Sequence, residues 1–225
     1  MRFGLTEAFP CSYLPEQQEQ VLLHLNDEPV SNEVYAKLLQ NGFRRSADSI
    51  YRPYCPACNA CQSLRIDVEH FRPTRNQRKV INRNKDLDFS LSTQDKEQYY
   101  ALYERYINTR HANGSMYPPS PEQYRHFISS LWAETQFMEI RLNQQLIGVA
   151  ITDSIDDGLS AFYTFFEPEL EKRSLGTLAI LKQIELTRQQ CKRYLYLGYQ
   201  IDDCSKMNYK ARFGPHQRFI DNKWQ

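Results

Sequence analysis

The chain has 225 residues, 41% apolar, 24% charged and 13% aromatic, with 15 tyrosines among the aromatics. That composition can bury a core and excludes wholesale disorder, and no uncharged apolar run approaches the roughly 20 residues a membrane helix needs. Net charge is +1, and MRFGLTEAFPCSYLPEQQEQ lacks the roughly 7–15-residue apolar stretch of a secretory signal, so a cytoplasmic protein is expected.

The first 70 residues are loop-rich and carry most of the cysteines. Ser31 can cap a short helix that runs to Gln40 and ends at Gly42. Strand-like stretches flank it at 21–25, 43–51 and 63–68. Residues 74–84 read as a basic helix or extended arm. A helix over 94–110 follows, in which Tyr99, Leu102, Tyr103, Tyr106 and Ile107 recur at helical spacing and read as core. The stretches 137–142 and 146–151, separated by Asn143-Gln144-Gln145, predict a hairpin. Asp156-Asp157-Gly158 then turns the chain into a third strand over 159–166. A helix of about 15 residues starts at Leu175, and 194–197 is a short buried strand. The expected organisation is a cysteine-bearing N-terminal domain with a basic arm over 1–92 and an α/β (α+β) domain over 93–225. Three antiparallel strands, a helix and another strand resemble the core of the GNAT acyltransferase fold.

Charge is unevenly distributed. Residues 71–85 carry Arg72, Arg75, Arg78, Lys79, Arg83 and Lys85 without an acid, and residues 205–225 are also net basic. Residues 153–171 carry six acids and no base. Separated patches of opposite sign suggest an oriented encounter with a polyanion.

Three segments can carry chemistry. In Cys55-Pro56-Ala57-Cys58-Asn59-Ala60-Cys61 the spacing can turn three sulfurs toward one soft metal or cluster, with Cys11 as the fourth ligand, so that zinc or an iron–sulfur cluster could sit there. Reduced thiols in a tight loop are the bland alternative. From Thr74, a helix places Arg75, Arg78 and Lys79 on one face suited to phosphate contacts. The alternative is an ordinary solvated face. The third segment, 196–215, starts at the C-terminal end of a buried strand, where α/β sheets place ligands. It crowds titratable and aromatic groups into a short loop.

YRPYCPACNACQSLRI, FRPTRNQRKV and YLGYQIDDCSKMNYKARFGP resemble the signatures of the aminoacyl-tRNA–protein transferases. The triple-cysteine block and the short chain resemble their bacterial aspartate/glutamate leucyltransferase branch. Gly42-Phe43-Arg44-Arg45-Ser46 and Arg110-His111 also fit the pattern. The related eukaryotic arginyltransferases carry a second cysteine where this chain has Leu14. The resemblance implies a GNAT-like acyltransferase domain after the smaller cysteine-bearing one. It also implies transfer of leucine from leucyl-tRNA to proteins with N-terminal Asp or Glu, marking them for degradation by the N-degron route. No cofactor is needed for that chemistry.

Within that resemblance, Asp202 or Asp203 would orient or deprotonate the acceptor amine. Tyr199, Gln200 and Lys206 would contact the oxyanion and ribose. Arg44, Arg45, Arg110 and His111 would receive the acceptor's acidic end, because guanidinium binds carboxylate bidentately. Arg72, Arg75, Arg78, Lys79, Arg83 and Lys210 would meet tRNA phosphates. The competing readings are arginyl-tRNA as donor, a coenzyme A-dependent GNAT acetyltransferase, a noncatalytic RNA-binding module, and transfer of amino acids to cell-wall peptides. Coenzyme A is disfavoured because Leu178 occupies the position in Arg173-Ser174-Leu175-Gly176-Thr177-Leu178 where a small residue would let backbone approach a pyrophosphate.

Overall fold

The computed structural model describes residues 1–25 and 30–225. The N-terminal part holds β1 (Arg2–Leu5), β2 (Phe9–Pro10), β3 (Gln18–Glu19), β4 (Val21–Leu25), α1 (Asn32–Gln40), β5 (Arg44–Ser46) and β6 (Ser49–Pro53). Four of these strands form an antiparallel sheet in the order β1-β4-β6-β5, and β2 pairs with β3 alone. Ser31 caps α1 as expected, its Oγ accepting from the Val34 amide at 3.2 Å. The helix ends at Asn41, and Gly42 takes a φ of 81° that a side chain would resist. The single strand expected over 43–51 is instead a hairpin, turned by Ala47 at a φ of 50°.

The rest of the chain adds β7 (Gln62–Asp67), α2 (Arg75–Arg83), β8 (Leu87–Ser92), α3 (Glu97–Arg110), α4 (Pro121–Ile128), β9 (Glu134–Leu142), β10 (Gln145–Ile155) and β11 (Gly158–Phe166). A 3-10 helix (Pro168–Arg173), α5 (Leu175–Gln189), β12 (Tyr194–Gln200), a second 3-10 helix (Asn208–Arg212), β13 (His216–Ile220) and β14 (Lys223–Trp224) complete it. Thr74 starts α2 with a capping box, its Oγ1 accepting from Gln77 N at 3.3 Å while Gln77 Oε1 accepts from Thr74 N at 2.8 Å. Asn143 and Gln144, at φ 49° and 68°, make the two-residue turn of the β9–β10 hairpin.

These strands build one eight-stranded sheet in the order β14-β13-β7-β12-β11-β10-β9-β8. Every described ladder in it is antiparallel except β11 with β12, which α5 connects as a crossover. Both β7 and β8 come from residues 1–92, and β7 lies between β12 and β13. The sheet therefore crosses the boundary expected at residue 92. The β9–β10 hairpin runs beyond the expected stretches 137–142 and 146–151, taking in residues 134–136 and 152–155.

Alternation along β10 separates the two faces of the sheet. Val149 and Ile151 pack with α3 and α4, while Ala150 between them packs with α5. α1 shares the α3 face, since Tyr35 of α1 donates to Asp153 of β10 at 3.2 Å. Among the described residues, no helix is long and apolar enough to cross a membrane.

The parallel pair β11 and β12 is short. Gly158, Leu159 and Ser160 face Tyr194, Leu195 and Tyr196, and there the ladder stops. Beyond it, β11 continues to Phe166 and β12 to Gln200 without pairing to each other. A register shift interrupts β10–β11, where Ile151 faces Tyr163 but Thr152 faces Ala161. A second interrupts β12–β7 between Tyr196 and Gly198. Bulges bend and twist strands, and here one falls on each prong of an opening fork.

Candidate active site at the strand fork

A parting ladder leaves backbone groups that need partners. Arg44, on β5, supplies one: its Nη2 donates to the carbonyl oxygen of Ala161 at 2.7 Å, just past the last paired residue of β11. The same guanidinium lies on the backbone of β12 at Gly198, where a Cβ would stand 3.5 Å from Arg44 Nε. Gly198 also has a φ of 83°, so the position favours glycine by conformation, while a Cβ there would rest in ordinary contact with the guanidinium. Arg44 is 7% exposed, and its Nη1 is buried with no hydrogen-bond partner.

Lys210 approaches from the 3-10 helix Asn208–Arg212, which packs against β12, and it is 5% exposed. Its Nζ reaches the carbonyl oxygen of Met207 at 3.4 Å and Met207 Sδ at 3.7 Å, and lies 4.6 Å from the centre of the Tyr209 ring. Burial, and then the charge of Arg44, push its pKa down to about 8. Neither Arg44 nor Lys210 has an ion pair with a carboxylate among the described residues.

Tyr209 and Tyr51 feel the charge of Arg44, and Tyr106 and Tyr163 follow behind them. Burial raises the Tyr51 hydroxyl pKa against the opposing charge of Arg44, and the balance of the same two effects raises Tyr209 although 40% of that residue stays exposed. Tyr106 of α3 is raised by burial and by Tyr209, and Tyr163 of β11 by burial, Tyr106 and Tyr103. Their hydroxyls therefore stay protonated at neutral pH and available as donors.

Of the residues expected to be catalytic, Tyr199, Gln200 and Asp202 make hydrogen bonds at and beyond the end of β12. Tyr199 is buried, and its hydroxyl is committed to the carbonyls of Gly42 at 3.1 Å and Tyr51 at 3.2 Å. Gln200 uses Nε2 on Asp202 Oδ1 at 2.8 Å and the Asn208 carbonyl at 3.3 Å, while its Oε1 accepts from the Ala211 amide at 3.1 Å. Asp202 pairs with Arg218 at 2.6 Å. Hydrogen bonds from Arg218 and Gln200 hold its carboxyl below the usual carboxylate range, which makes it a poor base. Asp203 and Lys206 are exposed in the turn after β12.

Of the four residues expected to receive an acidic acceptor, only Arg44 keeps a free buried nitrogen. Arg45 is a structural ion pair instead: Nε and Nη2 meet Asp153 at 2.6 and 2.7 Å, with both side chains buried. Its guanidinium also lies 3.9 Å over the Phe162 ring. Arg110 stands 3.9 Å from Glu171 and 5.6 Å over Phe166. The pKa of His111 is lowered by burial and by the charges of Arg110 and Lys206.

The acidic stretch 153–171 is not an open patch. Asp153 pairs with Arg45, Glu167 with Arg105 at 3.0 Å and Glu171 with Arg110, while Asp157 accepts from Tyr196 and Gln40 at 3.0 Å each. The basic stretch does form an exposed face on and around α2, carrying Arg72, Arg75, Arg78, Lys79 and Arg83. Arg72 and Arg78 each donate to backbone carbonyls, and Arg83 reaches Lys172 O. Lys210, expected on that basic surface, is instead buried at the fork, too deep for a phosphate backbone.

Cys11, Cys55, Cys58 and Cys61 line one small cavity of about 30 Å³ with Leu14, Glu19 and Pro53. Burial and the other three cysteines push the Cys61 thiol up to about 12. Cys11 Sγ accepts from the Tyr13 amide at 3.4 Å, and Cys55 Sγ donates to the Gln20 carbonyl at 3.8 Å. Among the described residues no three His, Cys, Asp or Glu side chains are arranged to hold a metal ion. The donor types are those that zinc or an iron–sulfur cluster takes.

Comparison with known proteins adds independent findings. Residues 9–79 match the family described as arginine-tRNA-protein transferase, N terminus, and residues 98–220 match its C-terminal counterpart. The aspartate/glutamate leucyltransferase of Pseudoalteromonas atlantica is 51% identical over 225 residues, covering 100% of this chain and 97% of that protein. The aspartate/glutamate leucyltransferase of Aeromonas hydrophila is 50% identical, covering 100% of this chain and 94% of that one. Among solved structures, L-PGS from Bacillus licheniformis aligns with a TM-score of 0.49 at 9% identity, over 74% of this chain and 49% of that one.

Proposed function

Because the chain belongs to the arginine-tRNA-protein transferase family and matches aspartate/glutamate leucyltransferases over its whole length, we propose that it transfers leucine from leucyl-tRNA to proteins with N-terminal Asp or Glu. It is an aminoacyl-tRNA–protein transferase, and the N-degron route is the pathway that fits. The finer reading is that the β10–β11 hairpin, α5 and β12 form a GNAT-like acyltransferase core with its site at the fork, in a cytoplasmic protein. The observation that carries the site assignment is Arg44, a buried guanidinium at the fork with Nη1 unpaired.

The chemistry asks little covalent help. An α-amine has a pKa near 8, so about a tenth is neutral at pH 7. Its nitrogen attacks the leucyl ester carbonyl, the tetrahedral intermediate collapses, and the ribose oxygen leaves with the proton the nitrogen loses. Holding amine and ester in contact supplies much of the rate. Arg44 anchors the acceptor's side-chain carboxylate through Nη1. We assign the protonated hydroxyls of Tyr106, Tyr163 and Tyr209, on α3, β11 and the 3-10 helix, as donors to the developing oxyanion and the leaving ribose oxygen. Gln200 and Asp202 act one step back, by holding the loop that carries Tyr209. The exposed face on and around α2 supports phosphate contacts that orient the tRNA.

The test is a transfer assay with radiolabelled leucyl-tRNA and arginyl-tRNA on peptides beginning Asp, Glu, Lys or Ala. Leucine on the Asp and Glu peptides alone is expected. Arginine in its place corrects the donor, and no transfer from either tRNA by the folded, reduced protein overturns the reading.

A further inference from the structure

Two cations sit in the wall of the fork with no acid beside them. Arg44 and Lys210 are 7% and 5% exposed. A buried charge without a counter-ion costs folding energy, and the fold elsewhere avoids that cost, as Arg45 with Asp153 shows. Arg44 keeps Nη1 bare. Lys210 Nζ has only a long contact to a carbonyl at 3.4 Å, a thioether at 3.7 Å and the Tyr209 ring, which leaves ammonium donor capacity unused. The two side chains come from separate elements, β5 and the 3-10 helix after β12. Both settle on β12, Arg44 against Gly198 and Lys210 through the helix that Gln200 ties down at Ala211. Each is close enough to Tyr209 to interact with it, Arg44 through its charge and Lys210 through the ring.

We propose that Lys210 is the second cation of the acceptor subsite, so that the side-chain carboxylate of an N-terminal Asp or Glu is held between Arg44 Nη1 and Lys210 Nζ. This rests on the reading of the chain as a transferase for acidic N-termini, and it names what makes that choice. Guanidinium and ammonium on the two oxygens of one carboxylate satisfy both cations at once. An amide of the same shape brings an NH2 group toward one of them, with no charge to offset either. The arrangement therefore selects Asp over Asn and Glu over Gln by charge. A side-chain amine in the same place adds a third cation and is rejected.

Binding and transfer are measured separately with Lys210→Met and Lys210→Arg. Calorimetry without tRNA compares peptides beginning Asp and Asn. The wild type is expected to favour the Asp peptide, Lys210→Met to lose roughly tenfold or more of its affinity for it, and Lys210→Arg to recover part of that loss. With leucyl-tRNA present, the loss in Lys210→Met falls on the acceptor KM more than on kcat, and the KM for leucyl-tRNA stays within twofold. Thermal unfolding of Lys210→Met should occur at the same or a higher temperature, since an unpaired buried charge has been removed. The proposal is overturned if the wild type binds both peptides alike, if Lys210→Met keeps its preference for Asp, or if Lys210→Met melts lower with both KM values rising together. A wild type that prefers Asp through Lys210 yet moves no leucine would leave the subsite standing and sink the transfer reading.

Discussion

Arg44 and Arg45 are consecutive on β5 and both are buried, but the pleat sends them into opposite surroundings. Arg45 enters the seam between β5, α1 and β10. There Asp153 takes two of its nitrogens and also accepts from Tyr35 at 3.2 Å and Thr135 at 2.9 Å. Arg44 enters the fork, where it meets a carbonyl, a glycine backbone and the field of a second cation. A charge completed inside the fold holds the fold together. A charge left incomplete lowers stability, and proteins keep such groups where a ligand completes them.

The harshest way to break this contrast is Arg45→Met. It leaves the Asp153 carboxylate buried without its cation and should cost about 3–5 kcal/mol, read from a urea transition. A variant that stays within roughly 1 kcal/mol of the wild type contradicts the structural role. Arg44→Met sharpens the other side: one hydrogen bond is lost, at about 1 kcal/mol, while a buried unpaired charge is relieved. Its melting temperature should barely move, and its kcat/KM on Asp-starting peptides should fall on the order of 100-fold.

A smaller effect is expected outside both regions. Arg75→Ala on α2 should weaken leucyl-tRNA binding and reduce the salt slope by about one unit, with the Asp-over-Asn preference untouched. An altered acceptor preference in that variant would place acceptor recognition on the wrong surface. The mildest test uses Glu139, a third buried charge, which Lys96 and Arg141 complete at 2.6 and 2.9 Å. Its pKa is lowered from 4.5 to about 2: burial opposes the shift, and hydrogen bonds from Lys96, Tyr99 and Arg141 outweigh it. A depressed carboxylate gives stability that is full above pH 4.5 and is lost as the pH falls through about 2. Glu139→Gln should flatten the acid limb of a stability profile, and an unchanged limb would count against that pairing.

Local signals carried the sequence a long way. The Ser31 cap, the helix start at Thr74, the tyrosine stripe of α3 and the turn at Asn143 are each written within a few residues, and each stands in the structure. What escaped was non-local. β7 crosses into the large sheet because its partners lie some 130–150 residues away, at Tyr194–Gln200 and His216–Ile220. β8, half exposed at the sheet's end, shows too little alternation to be read. The fork itself is a register event, and register depends on partners.

The site was legible by residue type more than by role. Arg44 and Arg45 both read as candidate carboxylate ligands, and nothing local separates them, since one step along a strand reverses the face. Lys210 looked like one more base in a basic tail, and only the packing of its 3-10 helix on β12 buries it. Tyr199, Gln200 and Asp202 drew notice as a polar cluster after a buried strand, and their hydrogen bonds show that the cluster braces the loop.

The most direct test of the account is the ratio of kcat/KM for peptides beginning Asp and Asn, with leucyl-tRNA as donor, in the wild type and in Arg44→Met. The fork as an acid-reading site predicts a ratio on the order of 100 or more in the wild type that collapses toward one in the variant. An equal loss on both peptides, with the ratio preserved, would contradict it.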